Sequence, residues 1–325
     1  MLGETSLRAA IVGCGNIGGG YDRVPPARNE DAQGSMTHAG AYLLHPETVL
    51  AAVADVNVQN LEDFKQKWGV PSTYRDYQEM FGAESIDIAS ICTPTNTHSQ
   101  VLAAALDVGI ETIFVEKPIS QNRDEARRMV AQAEGRQVAV NYYRRWNNSI
   151  RNLREDIDSG RWGHPIAACV RYTKGLWVNG SHFIDLFRWF FGEPQSVRTF
   201  RRHGRADTDD PGYDFALTFA NGLAVDFHHL PDASYVFLDV EIFFRNGRVS
   251  LRQRGQIVQT EIGVPEPKFG SFHILGGSQT KETSWQFCLP TAVRELVAQR
   301  DAGEPPACTL EDGCRVVEIC DQIAG

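Results

Sequence analysis

Long apolar runs are missing from this sequence, and none approaches the ~20 consecutive apolar residues that a membrane-spanning helix needs. The opening segment, Met1-Leu2-Gly3-Glu4-Thr5-Ser6, has neither a charged leader nor an apolar stretch, so a cytoplasmic protein without a membrane anchor is expected. Basic blocks are missing too. Lys and Arg number 32 against 41 Asp and Glu, a formal charge of −9 with both signs interspersed, which argues against a nucleic-acid surface. The seven cysteines include no Cys-x-x-Cys pair, and an odd, scattered set argues against a disulfide framework. Cys308, Cys314 and Cys320 are evenly spaced, but without a paired motif no metal site is expected. No internal repeat, low-complexity stretch or flexible linker interrupts the 325 residues, a length suited to two domains.

What is present alternates. Short apolar runs at 8–12, 49–54, 86–92 and 112–115 are each followed by turn chemistry or a helical pattern, and 138–140 adds another run. Such alternation predicts a parallel sheet wrapped by helices. After Asn141 the pattern changes: helices are expected over 149–159 and 182–191, then successive extended segments from 195 to about 262. Hairpin turns at Asn221-Gly222 and Asn246-Gly247 point to an antiparallel or mixed sheet there. Helices return over 284–300 and 310–323. The expected division is a first domain over 1–122 and a second over 123–325, with the last helix free to pack back on the first.

The strongest local motif is Gly13-Cys14-Gly15-Asn16-Ile17-Gly18, directly after the first run. Gly13, Gly15 and Gly18 permit a tight turn, close approach of a pyrophosphate to the backbone, and close packing of the following segment on the strand. Asn16 and Ile17 complete the backbone cradle. Asp55, closing the second run, suits the adenosine ribose hydroxyls and would repel a 2′-phosphate, so NAD is expected rather than NADP. The spacing is unusual: 37 positions separate Gly18 from Asp55, against the usual ~20. The excess, residues 21–37, reads as an inserted loop before a helix starting near His38. It serves either as surface decoration or as a flap near the cofactor.

Two further motifs end strands, where open α/β sheets bind ligands. Cys92-Thr93-Pro94-Thr95-Asn96-Thr97-His98 closes the third run and offers Thr93, Pro94, Asn96 and His98 to a cofactor. Glu116-Lys117-Pro118 closes the fourth. A lysine there can donate to a substrate oxygen and polarise a carbonyl for hydride attack.

With these segments, and with YYRRWNNSI, GSHFIDLFRWFFG and EDGCRVVEICDQI in the same order along the chain, the sequence resembles the Gfo/Idh/MocA oxidoreductases. The resemblance implies an N-terminal Rossmann dinucleotide-binding domain and a C-terminal α+β domain with an open-faced, largely antiparallel sheet. It also implies a homo-oligomer, dimer or tetramer. It makes Lys117 the catalytic and substrate-binding lysine and His182 the acid/base or substrate-binding histidine. It puts the CTPTNTH stretch and Glu116 beside the cofactor. One departure stands out: many relatives carry Asp four residues before the histidine, where this chain has Val178. Asp185, one helical turn after His182, is a possible substitute or a structural residue.

Arg145, Trp177 and Asn179 are further candidate substrate contacts, with Lys174 beside them. Of His228 and His229, adjacent in a strand, at most one faces a cleft. His38 and His45 read as ordinary surface histidines. The expected reaction is NAD(P)-dependent hydride transfer to or from a secondary alcohol or ketone of a sugar, sugar derivative or cyclitol, free or nucleotide-linked. The alternatives are an NAD-dependent glycosidase acting by transient oxidation, and a non-catalytic regulator that binds dinucleotide or sugar.

Overall fold

The computed structural model describes residues 6–27, 34–204, 209–231 and 233–325. The chain forms two compact units, residues 1–146 with 285–317, and residues 147–284 with 318–325. In the first unit the order is β1 (Leu7–Val12), α1 (His38–Leu44), β2 (Thr48–Ala54), α2 (Val58–Trp68), β3 (Ser72–Tyr74) and α3 (Tyr77–Ala83). Then come β4 (Ile88–Ile91), α4 (His98–Asp107), β5 (Thr112–Val115), α5 (Arg123–Gln132) and β6 (Gln137–Val140). All six strands are parallel, in the order β3-β2-β1-β4-β5-β6. The strand order reverses at β1 and β4, which opens a crevice at their carboxyl ends. Ala9, Ala10, Ile11, Ile88, Ile113 and Phe114 are buried, as expected for strands covered on both faces.

The second unit starts with α6 (Asn148–Asp158), β7 (Pro165–Tyr172) and α7 (Ser181–Phe191). It continues with β8 (Pro194–His203), β9 (Gly212–Phe219), β10 (Ala224–His229), β11 (Leu238–Phe244), β12 (Gly247–Arg252), β13 (Ile257–Pro265) and β14 (His273–Glu282). These form one sheet, β14-β13-β12-β11-β7-β10-β9-β8, antiparallel except where β7 meets β10. One face is covered by α7: Phe187 meets Phe219 and Phe227, and Phe215 stacks on Phe227 with ring centroids 4.2 Å apart. Ile166, Ile262 and Ile274 are exposed apolar residues on strands of this sheet. The chain then returns to the first unit through α8 (Cys288–Ala302) and enters α9 (Leu310–Ala324), whose last turns belong to the second.

The division at residue 122 falls too early. β6 pairs in parallel with β5, so residues 123–146 complete the first sheet. Three strands had no expectation in the sequence. β3 is a three-residue edge strand and β14 is mostly polar and exposed, so neither shows an inward-facing apolar period. β7 is a central strand whose register alternates only in part. Cys308, Cys314 and Cys320 pack in the core, and burial pushes the Cys320 thiol well up. No helix among the described residues is long and apolar enough to cross a membrane.

Candidate active site

On the first unit, the turn after β1 holds Gly13 at φ +101°, which only glycine adopts without strain. A Cβ there would lie 2.6 Å from the Cys92 backbone, so the turn can press against the end of β4 only without one. A Cβ on Gly18 would lie 2.3 Å from the Gly13 carbonyl. Gly15 differs: its added Cβ meets nothing within 4 Å, and both Gly15 and Asn16 are exposed. Residues 16–20 form one short turn of π-helix rather than a long helix.

Asp55 is tied to the same turn. Its carboxylate accepts from Cys14 N at 2.8 Å, from Asn57 N at 2.8 Å and from Asn60 Nδ2 at 3.3 Å. The inserted segment is held at both of its described ends. Asp22 accepts from Ser35 Oγ (2.6 Å), Thr37 Oγ1 (2.5 Å) and Met36 N (2.9 Å), while Lys67 donates to the Gly19 and Asp22 carbonyls. Ser35 N donates to Gln286 O at 2.7 Å. Residues 28–33 of the segment lie outside the described residues. Thr37 then caps α1 by accepting from Gly40 N.

Across the switch point, Pro94 and Asn96 are exposed, and Thr93 Oγ1 is buried among protein atoms with no hydrogen-bond partner. His98 takes a different place from the one expected. It is buried, with Nδ1 3.0 Å from Pro118 O and Nε2 2.9 Å from Thr93 O. A neutral ring has one N–H and donates to one of these two carbonyls, and its place between them sets His98 between the turns after β4 and β5. Burial pushes its imidazole pKa down, against the pull of those carbonyls.

Glu116 is likewise turned inward, 9% exposed, rather than offered to a cofactor. It accepts from His38 Nε2 at 3.0 Å, Asn141 Nδ2 at 2.6 Å and Lys117 N at 3.2 Å. Burial alone would raise its pKa. The donors from His38 and Asn141 and the Lys117 charge outweigh that, and the carboxyl lies below its ordinary value. Lys117 itself is half-buried. His38 corrects the surface reading: it is 0% exposed, at the centre of this network. Its position after a long insertion hid it, because nothing local links residues 78 positions apart. Arg145 also departs from expectation. It is 3% exposed and donates to Asp312 Oδ2 (2.8 Å) and Ala307 O (3.1 Å), so its charge anchors the start of α9 rather than facing a substrate.

On the second unit, the segment before α7 borders a cavity of about 770 Å³ lined in part by Lys174, Val178, His203, Asp210 and His229. Trp177 and Asn179 are buried; Asn179 Nδ2 donates to Thr173 O at 2.8 Å and closes the loop. Val178 is 40% exposed and supplies no carboxylate. A carboxylate nonetheless reaches this turn from the β8–β9 connection: Asp210 accepts from Trp177 N at 2.8 Å and Val178 N at 2.9 Å. Sequence reasoning missed it, since its only signal was an Asp-Asp-Pro loop. His182 lies one turn further on, 8% exposed, and Asp185, at 1%, sits inside the packed face of α7, which fits a structural role. Of the histidine pair, His228 is exposed and His229 borders the cavity, with Nε2 2.6 Å from Lys174 O. His203 and the His229 backbone both donate to Asp214, which joins the ends of β8, β9 and β10.

Residues 7–143 match the Gfo/Idh/MocA family, described as an oxidoreductase family with an NAD-binding Rossmann fold. The chain is 24% identical to a myo-inositol 2-dehydrogenase of Thermotoga maritima, over 94% of this chain and 92% of that protein. It is 27% identical to a D-glucoside 3-dehydrogenase of Escherichia coli, over 54% of this chain and 46% of that one. Among solved structures, a levoglucosan dehydrogenase in complex with NADH and levoglucosan superposes with a TM-score of 0.82 at 17% identity, covering 98% of this chain and 96% of the other.

Proposed function

We propose that this chain, whose residues 7–143 match the Gfo/Idh/MocA family of NAD-binding oxidoreductases, is a dehydrogenase or reductase of a sugar, sugar derivative or cyclitol. When bound, NAD supplies the chemistry of hydride acceptance and return. Everything else is the work of this chain. The Gly13–Gly18 turn holds the pyrophosphate on open backbone amides, and Asp55 accepts from the ribose hydroxyls, which favours NAD over NADP. Thr93, Pro94 and Asn96 border the nicotinamide half. Lys117 donates to the reacting oxygen, stabilising the charge that grows on it in the hydride-transfer transition state. On the second unit, taken by itself, His182 is the proposed acid/base residue, and the cavity bordered by Lys174, Val178 and His229 is the proposed place for ring hydroxyls.

The observation that carries this reading is the pairing of an open glycine turn with Asp55 at the carboxyl end of the parallel sheet, the end at which β5 leads into Lys117. The relatives' substrates set the class: myo-inositol, a glucoside and levoglucosan all carry ring secondary alcohols. The reading also makes the protein cytoplasmic and homo-oligomeric, with the exposed Ile166, Ile262 and Ile274 as the apolar surface available for association.

The test is a screen of myo-inositol, alkyl glucosides and levoglucosan with NAD+ and with NADP+, following NADH or NADPH absorbance and released sugar together. NADH formation on at least one ring polyol is expected. Sugar released from a glucoside with no net NADH would instead support cleavage by transient oxidation. Failure to bind either dinucleotide in a folded sample would overturn the reading.

A further inference from the structure

Lys67 has no part in the function just proposed, yet it grips the glycine turn from behind. The turn itself is short. Its hydrogen bonds run from Gly19 N and Gly20 N to Gly15 O, each 3.1 Å, and from Tyr21 N to Asn16 O at 2.9 Å. The helical conformation ends at Gly20, and the next helix, α1, begins only at His38. A dinucleotide fold ordinarily runs from this turn straight into a helix, whose following amides bond the turn's last carbonyls. Where the helix stops, those carbonyls need another donor. Lys67, the penultimate residue of α2, supplies it: Nζ donates to Gly19 O at 2.7 Å and to Asp22 O.

The same end of α2 fits the turn closely. A Cβ on Gly19 would stand 2.4 Å from Phe64 Cε2 and 2.6 Å from Trp68 Nε1. Phe64 is buried, and Lys67 Nζ lies 5.2 Å from the Trp68 ring centroid. The ammonium thus sits half-buried beside an aromatic ring, with two carbonyls in reach. A cation is favourable at the carbonyl end of a helical turn, and charged donors make the stronger hydrogen bonds. The path from Lys67 to the exposed end of the turn passes through one residue. Lys67 holds Gly19 O, and Gly19 N–H holds Gly15 O, where the backbone is open to solvent. The second carbonyl belongs to Asp22, whose side chain accepts from Ser35, Met36 and Thr37 and closes the neck of the inserted segment. One amine therefore fixes both the turn and the start of the insertion that follows it.

We propose that Lys67 is a positioning residue for the cofactor: its ammonium takes the place of the helix that the insertion interrupts, and holds the Gly15–Gly20 turn in the shape that receives the pyrophosphate of the dinucleotide. This rests on the dinucleotide reading given above, but its test needs no sugar substrate. Isothermal titration of the full-length protein measures affinity for NADH and for ADP-ribose, which keeps the pyrophosphate and lacks the nicotinamide. The melting temperature of the free protein is measured on the same samples. Lys67→Met keeps the stem beside Trp68 and removes the charge and the donors, and it should weaken both ligands by about tenfold. Lys67→Arg, which keeps charge and donors, should recover most of that loss. Lys67→Gln, which removes the charge, should behave as Lys67→Met and serves if that variant does not fold. Val101→Ala, a truncation in the buried face of α4, should lower the melting temperature and leave both affinities unchanged, which separates lost support of the turn from lost stability. Wild-type affinities in folded Lys67→Met, a loss confined to NADH, or a Lys67→Arg that binds no better than Lys67→Met would each overturn the proposal while wild-type binding leaves the dinucleotide reading standing. A wild type that binds neither ligand would overturn both.

Discussion

In the nucleotide unit Asp55 holds a neighbouring turn in place: its carboxylate accepts from Cys14 N and Asn57 N and lies half-exposed at the end of β2. Charged hydrogen bonds of this kind are worth about 1.5–3 kcal/mol each. Asp55→Asn should therefore weaken NADH binding by about tenfold or more and narrow the preference over NADPH, as read by fluorescence titration of both cofactors. Equal affinity of the wild type and the variant for NADH would remove Asp55 from the ribose site. The residues legible from the sequence were those whose role is local. Gly13, Gly15 and Gly18 declare themselves by spacing after a strand, and Lys117 by its place at a strand end. His38, Asp210 and the inward turn of Glu116 were not legible, because each depends on partners tens of positions away.

At the scale of elements, apolar period marked the strands of the parallel sheet other than β3 to within a few residues, and the two Asn-Gly turns marked the β9–β10 and β11–β12 hairpins. It did not give β14, where polar and glycine residues are held by pairing with β13 rather than by burial. Nor did it give the unit boundary, which depends on β6 joining β5. The turns after β4 and β5 are joined through His98, and this has a pH signature. Its folded pKa lies below the unfolded value of 6.5, so the unfolded chain binds a proton that the folded chain refuses. Stability from this residue is complete above that value and is lost as pH falls through it toward the folded pKa. Burial lowers His45 and His229 in the same direction. The melting temperature should fall between about pH 7 and about pH 5, and His98→Gln should flatten that slope. A wild-type melting temperature that does not change over this interval would contradict the account.

At the scale of the molecule, one unit matches an NAD-binding Rossmann fold and the other offers a cavity beside the segment that leads into the helix of His182. A ligand that binds only the folded state stabilises it by mass action. NADH at about one hundred times its dissociation constant should add about 2.7 kcal/mol and raise the melting temperature measurably. Binding, however, is shared with a regulator; turnover at a specific amine is not. The most direct measurement is steady-state kinetics of Lys117→Ala beside the wild type, on whichever ring polyol the screen identifies, with NADH affinity measured on the same samples. The account predicts a kcat lower by about 10²-fold or more with NADH affinity nearly unchanged. Retention of wild-type kcat by a folded Lys117→Ala would contradict it.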